Sequence, residues 1–289
     1  MTTSVQIVLT PTESKRLLSR AVLNRDEVKR ALDKGMLILH PSSTSIFMLE
    51  ELGLKLHEKG IWICGHTSPK GLCLSQGIID ARLTIPNWSV DKYPFELVIR
   101  KGRFVPLEES AFGPVLETIT PNDVYVKGVN AIDPEGKVGV LLAGRSTGGT
   151  IGLVVKKHKH VNFKIIIPVG LEKRIPIPLG TAMKAAMEAK KAQGIPCSIW
   201  RLQGTILTEI EAFKQLFDVE AIPISAGGVC GAEGCIIWVL RGEEKNVEKA
   251  YAFREQIYGH ELPYKLKVYE CAECPHKSCN LSGKKWPPK

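Results

Sequence analysis

The stretch 123-DVYVKGVNAIDPEGKVGVLLAGRSTGGTIG-152 decides how we interpret the fold of this chain. It opens with DVYVKG, a short apolar segment followed at once by turn residues, which is typical of a buried strand. It closes with 144-GRSTGGTIG-152, a glycine-dense segment that predicts a loop entering an apolar element. The apolar run 162-NFKIIIPVG-170 predicts the next strand. The sequence therefore predicts a strand, a glycine-rich loop and a further strand in this order.

The same order occurs earlier in the chain. Residues 13–32 carry apolar side chains at helical spacing and predict one or two amphipathic helices. The run 36-MLILH-40 suits a buried strand, 41-PSSTS-45 a hydroxyl-rich turn, and 46-IFMLEELGLKLHEKG-60 a helix. Strands that alternate with helices predict an α/β fold with a largely parallel sheet flanked by helices.

Between these two regions the signals are weaker. The run 61-IWICG-65 predicts a strand, and the Gly- and Ser-rich segment 66-HTSPKGLCLSQG-77 predicts a loop. The run 95-FELVIR-100 also has the composition of a strand.

Two of the predicted loops have the composition of anion-binding sites. The first N–H groups of a helix lack internal partners and carry partial positive charge, so they favour an anion, and Ser42, Ser43 and Thr44 could add donors. The alternative is that one hydroxyl only caps the helix. Because ligands of parallel sheets bind beyond the carboxyl ends of strands, we expect the 41–45 turn and the 144–152 loop to meet at one sheet edge.

Composition and charge restrict the class of protein. The chain has 289 residues, 44% of them hydrophobic and 24% charged, which suits a folded protein of two moderate domains. No secretory leader and no long apolar stretch is visible, so we expect a cytoplasmic protein that does not enter a membrane. The net charge of +9 is scattered and lacks interleaved aromatic residues, which argues against a nucleic-acid partner.

The 123–152 pattern resembles the core of the sugar-phosphate isomerase and coenzyme A transferase-like superfamily. Members such as ribose-5-phosphate isomerases and glucosamine-6-phosphate deaminases have a strand that ends in Gly, a small residue and an acid, then an Asp-Pro turn and a glycine-rich loop. The corresponding segments here are 128–130, Asp133-Pro134 and Gly148-Gly149. The strand, turn and helix around residues 41–45 are similar to the superfamily's first anion-binding loop.

The chain departs from this superfamily where catalysis is concerned. The isomerases have two acidic residues where this chain has Asn130 and Ala131, which leaves Asp133 as the one weak catalytic candidate. A carboxamide cannot abstract a proton, so simple aldose–ketose isomerisation is disfavoured and catalysis of any kind is left open.

What the resemblance implies is recognition of a small phosphorylated or nucleotide-like metabolite, such as a sugar phosphate or coenzyme A. Lys127 and Arg145 would supply positive charge. Asn130 would donate and accept hydrogen bonds, and Asp133 would accept a hydrogen bond from a ribose or other hydroxyl group. The alternative is that the glycines and Asp133 only turn the chain. The candidate ligand-binding residues are Ser42, Ser43, Thr44, Lys127, Asn130, Asp133, Arg145, Gly148, Gly149 and Thr150.

The segment 193-QGIPC-197 is predicted to be a domain junction, with one domain in residues 1–194 and a second in residues 195–289. The segments that follow predict the order strand, helix, strand, strand, helix, strand, ending in 264-YKLKVYEC-271. This order is that of an α+β ferredoxin-like (βαββαβ) domain.

The chain ends in a cysteine-rich segment, 271-CAECPHKSC-279, with Cys271, Cys274 and Cys279 as thiolate candidates. This spacing recurs in zinc and iron–sulfur sites, and a closed tetrahedral site needs a fourth ligand. We expect that ligand to be His276, Cys230 or Cys235. The alternative is a disordered tail in which Cys271 and Cys274 form a reducible pair.

Two functions from different classes therefore follow from the sequence. The preferred one is binding of a phosphorylated metabolite by a divergent member of the superfamily, with a cysteine-ligated metal in the C-terminal domain. The other is a zinc or iron–sulfur protein of redox metabolism whose N-terminal domain serves as a docking scaffold. Homo-oligomerisation is left open.

Overall fold

The computed structural model describes residues 1–54, 63–87, 96–105, 109, 111–143, 148–259, 261 and 265–287. The helices within these ranges are α1 Pro11–Leu23, α2 Asp26–Lys34, α3 Ser43–Glu51, α4 Gln76–Thr84, α5 Phe112–Glu117, α6 Gly149–Val161, α7 Leu179–Glu188, α8 Glu209–Phe217 and α9 Glu244–Ile257. The first strands are β1 Thr2–Leu9, β2 Met36–Leu39, β3 Gly65–Ser68, β4 Gly71–Leu74, β5 Leu97–Arg100, β6 Arg103–Phe104 and β7 Val124–Val126. The later strands are β8 Ala131–Ile132, β9 Val138–Ala143, β10 Lys164–Pro168, β11 Cys197–Leu202, β12 Thr205–Leu207, β13 Glu220–Ala226 and β14 Ile236–Glu243.

The largest sheet has six strands in the order β12-β10-β7-β2-β5-β6. Strands β12, β10, β7 and β2 pair in parallel, whereas β5 and β6 are antiparallel. The predicted α/β class with a largely parallel sheet is therefore confirmed. None of the helices in the described ranges has the length and hydropathy needed to span a bilayer.

Both faces of this sheet are buried, which explains why its strands are continuous apolar runs rather than alternating ones. Leu37 and Leu39 of β2 belong to one core cluster, while Met36 and Ile38 point into the other. Helices α1, α3 and α8 pack on the first face, and α5 and α6 on the second.

The helix predictions in the first part of the chain are confirmed. Residues 13–32 form α1 and α2, and α1 begins at a capping box in which Thr10 and Glu13 satisfy each other's backbone N–H groups. The predicted helix after residue 46 is α3, which begins at Ser43 and ends at Glu51. Residues 55–60 of that prediction lie outside the described residues.

The predicted loop at 66–77 is wrong in its centre, because β3 and β4 form an antiparallel hairpin there. The strand predicted at 61–65 lies partly outside the described residues, and β3 begins only at Gly65. Gly71 has a φ of 98° and a Cβ on it would lie 2.1 Å from the Gln193 carbonyl, so the hairpin needs glycine here.

The predicted ferredoxin-like arrangement of residues 195–289 is not confirmed. Strand β11 pairs with β9, and β12 joins the large sheet beside β10. Strands β13 and β14 form a separate sheet with β1, the first strand of the chain. Residues 265–270, predicted as the last strand, have no strand conformation. Strands from the two sides of residue 194 therefore pair with each other, and the predicted boundary there stays a prediction.

Candidate functional site

A cleft of about 780 Å³ lies where β2 and β7 end, and we refer to it below as the cleft. The 41–45 turn and the start of α6 both line it, so the described part of the 144–152 segment meets the 41–45 turn as expected. The predicted ligand-binding residues that line it are Ser42, Ser43, Thr44, Lys127, Asn130, Gly148, Gly149 and Thr150. Arg145 lies outside the described residues.

The turn after β2 does two things. The hydroxyl of Ser42 accepts a hydrogen bond from the Ser45 backbone N–H at 3.2 Å and so caps α3. The Ser45 hydroxyl donates to the His40 carbonyl at 2.6 Å, which fixes the turn to the end of β2. Helix capping, the simpler interpretation, therefore accounts for Ser42, whereas Ser43 and Thr44 line the cleft without a capping role.

Helix α6 begins at the cleft with backbone donors exposed. Gly148 and Gly149 have φ values of 72° and 50°, which favour glycine. No side chain among the described residues caps this N-terminus. The first N–H groups of a 13-residue helix are therefore available to an anion in the cleft.

The described lining of the cleft is cationic. It contains Lys15, Arg82, Lys127 and Lys173 and no aspartate or glutamate. Three of these cations were not predicted from the sequence, since Lys15 belongs to α1, Arg82 to α4 and Lys173 to a 3-10 turn at Leu171–Lys173. Only the tertiary fold brings them to the same place as Lys127.

Four buried polar residues lie beside the cleft, and we call His40, Glu96, Tyr125 and Lys127 the buried polar cluster. His40 Nδ1 is 2.9 Å from Glu96 Oε1 and 3.3 Å from the Tyr125 hydroxyl. The other Glu96 oxygen, Oε2, has no hydrogen-bond partner among the described residues. A buried carboxyl group in which one oxygen has no hydrogen-bond partner is unusual in a folded protein.

Burial shifts the pKa values of this cluster toward the neutral forms. Burial lowers the pKa of Lys127 to about 8, with the charges of Cys64 and Glu96 acting in the opposite direction. Burial raises the pKa of Glu96 well above its usual value, although Lys127 opposes the shift. Burial and then the charge of Lys127 hold the pKa of His40 well below its ordinary range. Ionisable groups perturbed in this way beside a cleft are typical of functional sites.

Asp133 does not line the cleft. Its carboxylate accepts hydrogen bonds from the backbone N–H groups of Glu135 at 2.9 Å, Lys137 at 2.8 Å and Leu179 at 2.9 Å. Burial acts to raise its pKa, but these three donors outweigh it and hold the pKa below its usual value. These bonds favour the simpler interpretation, in which Asp133 organises a turn, over a role in ligand binding or catalysis.

Asn130 keeps part of its hydrogen-bonding capacity for the cleft. Its side-chain oxygen accepts from the Leu141 backbone N–H at 3.0 Å, and its backbone N–H donates to the Gly139 carbonyl at 2.8 Å. The side-chain amide donors are not used by these bonds, so they could bind a ligand oxygen.

A second cavity, of about 200 Å³, is lined by Cys73, Cys271, Cys274, Cys279 and His276, and we call it the cysteine cavity. The tail that carries most of these residues packs on α4 and its surroundings. The Tyr269 hydroxyl donates to Asp80 at 2.5 Å, and the Asn280 backbone N–H donates to the Gly194 carbonyl at 3.1 Å. The tail is therefore fixed to the body by hydrogen bonds, contrary to the alternative of a disordered end.

Cys230 and Cys235 do not line the cysteine cavity. Cys230 is exposed in the connection between β13 and β14, and the Cys235 thiol donates to the Gly227 carbonyl at 2.7 Å. The expectation that they join the tail depended on a strand at 264–271 beside β13, and no strand forms at 265–270. Among the described residues no group of three or more His, Cys, Asp or Glu side chains is arranged to hold a metal ion.

Comparison of the chain with protein-family models, with curated proteins and with solved structures finds no match.

Proposed function

We propose that the cleft binds a small phosphorylated or nucleotide-like metabolite of the sugar-phosphate or coenzyme A type. One observation carries the proposal: two helix N-termini and four cationic side chains line the same cleft at the carboxyl ends of parallel strands. The resemblance of residues 123–152 to the isomerase and transferase superfamily suggests the same ligand class.

The size and chemistry of the cleft support a small anionic ligand. Its volume of about 780 Å³ falls within the range of small-molecule sites in proteins. An N–H cradle with lysines suits the several oxygens of a phosphate group. The apolar part of the lining, which includes Val140, Leu142 and Ile151, could contact the uncharged part of the metabolite.

Thermal unfolding of the full chain tests the proposal, with inorganic phosphate, ribose 5-phosphate and coenzyme A as probes. A ligand at one hundred times its Kd stabilises a protein by about 2.7 kcal/mol, which raises the Tm of a chain of this size by roughly 4–5 °C. We expect at least one phosphorylated probe to give such a shift, and free ribose to give none.

Matched lysine variants locate the binding. Substituting Lys15→Gln and Lys173→Gln together should reduce the shift at a given probe concentration, because two of the cations that line the cleft are lost. Lys249→Gln, at an exposed position of α9, is the control and should leave the shift unchanged. The proposal fails if no phosphorylated compound stabilises the protein, or if both variants respond alike.

The cysteine cavity supports a second candidate function, a zinc or iron–sulfur site. Its specific observation is that Cys73 of β4 lines the same cavity as the three tail cysteines, which supplies the fourth thiolate that a closed site needs. Burial raises the pKa of Cys271, while the charge of Lys70 acts to lower it. Metal binding would require the four thiols to draw together around one ion.

Elemental analysis of anaerobically purified protein tests this second function. We expect one zinc per chain, or iron with visible absorbance, and loss of the metal in Cys73→Ser. Cys230→Ser is the matched control, since Cys230 is exposed and does not line the cavity. Metal-free wild-type protein, or equal loss in both variants, would count against the site.

A further inference from the structure

We infer that Lys127 is the reactive group of the cleft and that it forms a Schiff base with a phosphorylated aldehyde or ketone. This inference rests on the proposed function, because it assigns the substrate class and the chemistry of the same cleft. The phosphate would lie at the helix N-termini and the carbonyl group at the lysine.

The position of Lys127 is that of a fixed reactive group. It follows β7 directly, and its backbone N–H donates to the Ile166 carbonyl at 3.1 Å on the neighbouring strand β10. Its side chain lines the cleft, yet the residue is only 8% exposed. Gly128 comes next, and a Cβ there would lie 3.9 Å from the Ser42 hydroxyl. The backbone that follows Lys127 therefore lies close to the 41–45 turn.

The environment of Lys127 differs from that of an ordinary phosphate-binding lysine. A lysine that binds phosphate works as a cation, whereas imine formation needs the neutral amine. Because burial lowers the pKa of Lys127 to about 8, roughly a quarter of the amine is neutral at pH 7.5. A lysine with the ordinary pKa would be neutral in about one molecule in a thousand. The ionisable groups that act on it are Lys173, whose charge also lowers its pKa, and Cys64 and Glu96, whose own pKa values burial raises toward the neutral forms. His40 contacts both Glu96 and Tyr125.

Glu96 belongs to the same buried polar cluster as Lys127 but does not line the cleft, so the protons of this reaction come from solvent. It is fully buried, its Oε1 contacts His40, and its Oε2 has no hydrogen-bond partner among the described residues. Burial raises its pKa, which disfavours the negative charge that would hold Lys127 in its cationic form.

The step balances without an oxidant or reductant. The neutral Nζ of Lys127 attacks the carbonyl carbon, and the C–N bond forms as the carbonyl electron pair moves to oxygen. A proton passes from the nitrogen to that oxygen through solvent water, which gives a carbinolamine. A proton from solvent then adds to the hydroxyl, water leaves, and the protonated imine remains. The reaction thus joins one amine and one carbonyl group and releases one water molecule.

Reductive trapping in the full chain tests the inference. The protein is incubated with glyceraldehyde 3-phosphate or dihydroxyacetone phosphate and sodium cyanoborohydride, and the adduct is located by peptide mass mapping. We expect one adduct per chain on Lys127 and at least tenfold less with unphosphorylated glyceraldehyde. Lys127→Arg should lose the adduct while it keeps a positive charge, and its Tm reports whether it is folded.

Two further variants make the assignment specific. Lys214→Arg and Lys249→Arg, both at exposed positions, should still trap the adduct on Lys127, because neither residue lines the cleft.

The outcomes separate this inference from the proposed function. Phosphate-dependent stabilisation without an adduct overturns the inference and leaves the proposed function standing. An adduct on Lys15 or spread over surface lysines also overturns it. Absence of both stabilisation and adduct overturns the two together.

Discussion

Glu209 is a buried carboxyl group outside the cleft that should make the stability of the protein depend on pH. The Ser14 hydroxyl donates to its Oε1 and the Leu171 backbone N–H to its Oε2 at 3.0 Å. Burial, with a smaller contribution from the charge of Glu172, raises its pKa to about 7. In the unfolded chain the pKa is near 4.5. The group therefore stabilises the fold fully below pH 4.5, and that contribution is lost as pH rises through 7.

We accordingly expect Glu209 to lower the free energy of unfolding by up to about 3 kcal/mol between pH 5 and pH 8.5. Glu209→Gln should remove this part of the pH dependence, since the carboxamide does not titrate. Urea unfolding at pH 5, 7 and 8.5 measures it, with exposed Glu248→Gln as the control that should follow the wild type. A Glu209→Gln variant that loses as much stability as the wild type would contradict this assignment.

Asp133 shows why the role of a candidate residue is hard to predict from the sequence. An Asp-Pro pair between a strand and a glycine-rich loop predicts either a ligand contact or a turn, and the sequence cannot distinguish them. The choice depends on the N–H group of Leu179, which is 46 positions away in the chain and reaches the carboxylate only in the folded protein. Lys127 is the opposite case, because the sequence predicts it at the binding site and it does line the cleft, but its burial is not visible in the sequence.

At the level of elements, the start of α6 is the most sensitive part of the cleft. Gly148 has left-handed backbone geometry, and a Cβ there would lie 2.7 Å from the Trp200 ring. Gly149 is also left-handed, but a Cβ on it meets nothing within 4 Å. Alanine substitutions at the two glycines therefore distinguish the cost of backbone strain from the cost of steric overlap.

We expect Gly148→Ala to cost about 2–4 kcal/mol of stability, since strain of about 1 kcal/mol adds to overpacking against Trp200. Gly149→Ala should cost only about 1 kcal/mol. Urea unfolding compares the two, and phosphate titration by Tm should show weaker binding in Gly148→Ala. Equal stability losses would mean that Trp200 moves aside without cost.

The elements that could be predicted are those whose own residues determine them. Short apolar runs followed by turn residues identify β2, β7 and β10, and apolar residues at helical spacing identify α1 and α3. The β3–β4 hairpin was missed because its strands are only four residues each and mix glycine with polar residues. Its conformation depends on packing against Gly194 and the tail, which local pattern does not show.

At the scale of the whole molecule, the sequence does not show which strands pair with each other. The sequence after residue 194 predicts the order of a ferredoxin-like domain, whereas in the structure β1 completes the sheet of β13 and β14 by pairing with β14, with Thr2 opposite Glu243 and Leu9 opposite Ile236. The same limit applies to the cleft, because Lys15, Arg82 and Lys173 converge only through the arrangement of distant elements. Two loops could be predicted to meet from the rule for parallel sheets, but the cations around them could not.

One core connects the two predicted domains, which leads to the last prediction. A single cluster contains Val126 and Ile166 of the large sheet, Trp238 of β14, and Ile7 and Leu9 of β1. A fragment of residues 195–289 lacks β1 and the pairing strands β9 and β10, so it would expose Trp238 and leave β14 with an open edge.

We expect this fragment alone to show no cooperative thermal transition, and co-expression with residues 1–194 to restore one. Burial of Trp238, read from the blue shift of tryptophan fluorescence, should return with the transition. A fragment that melts cooperatively alone would instead show that residues 195–289 are an independent domain.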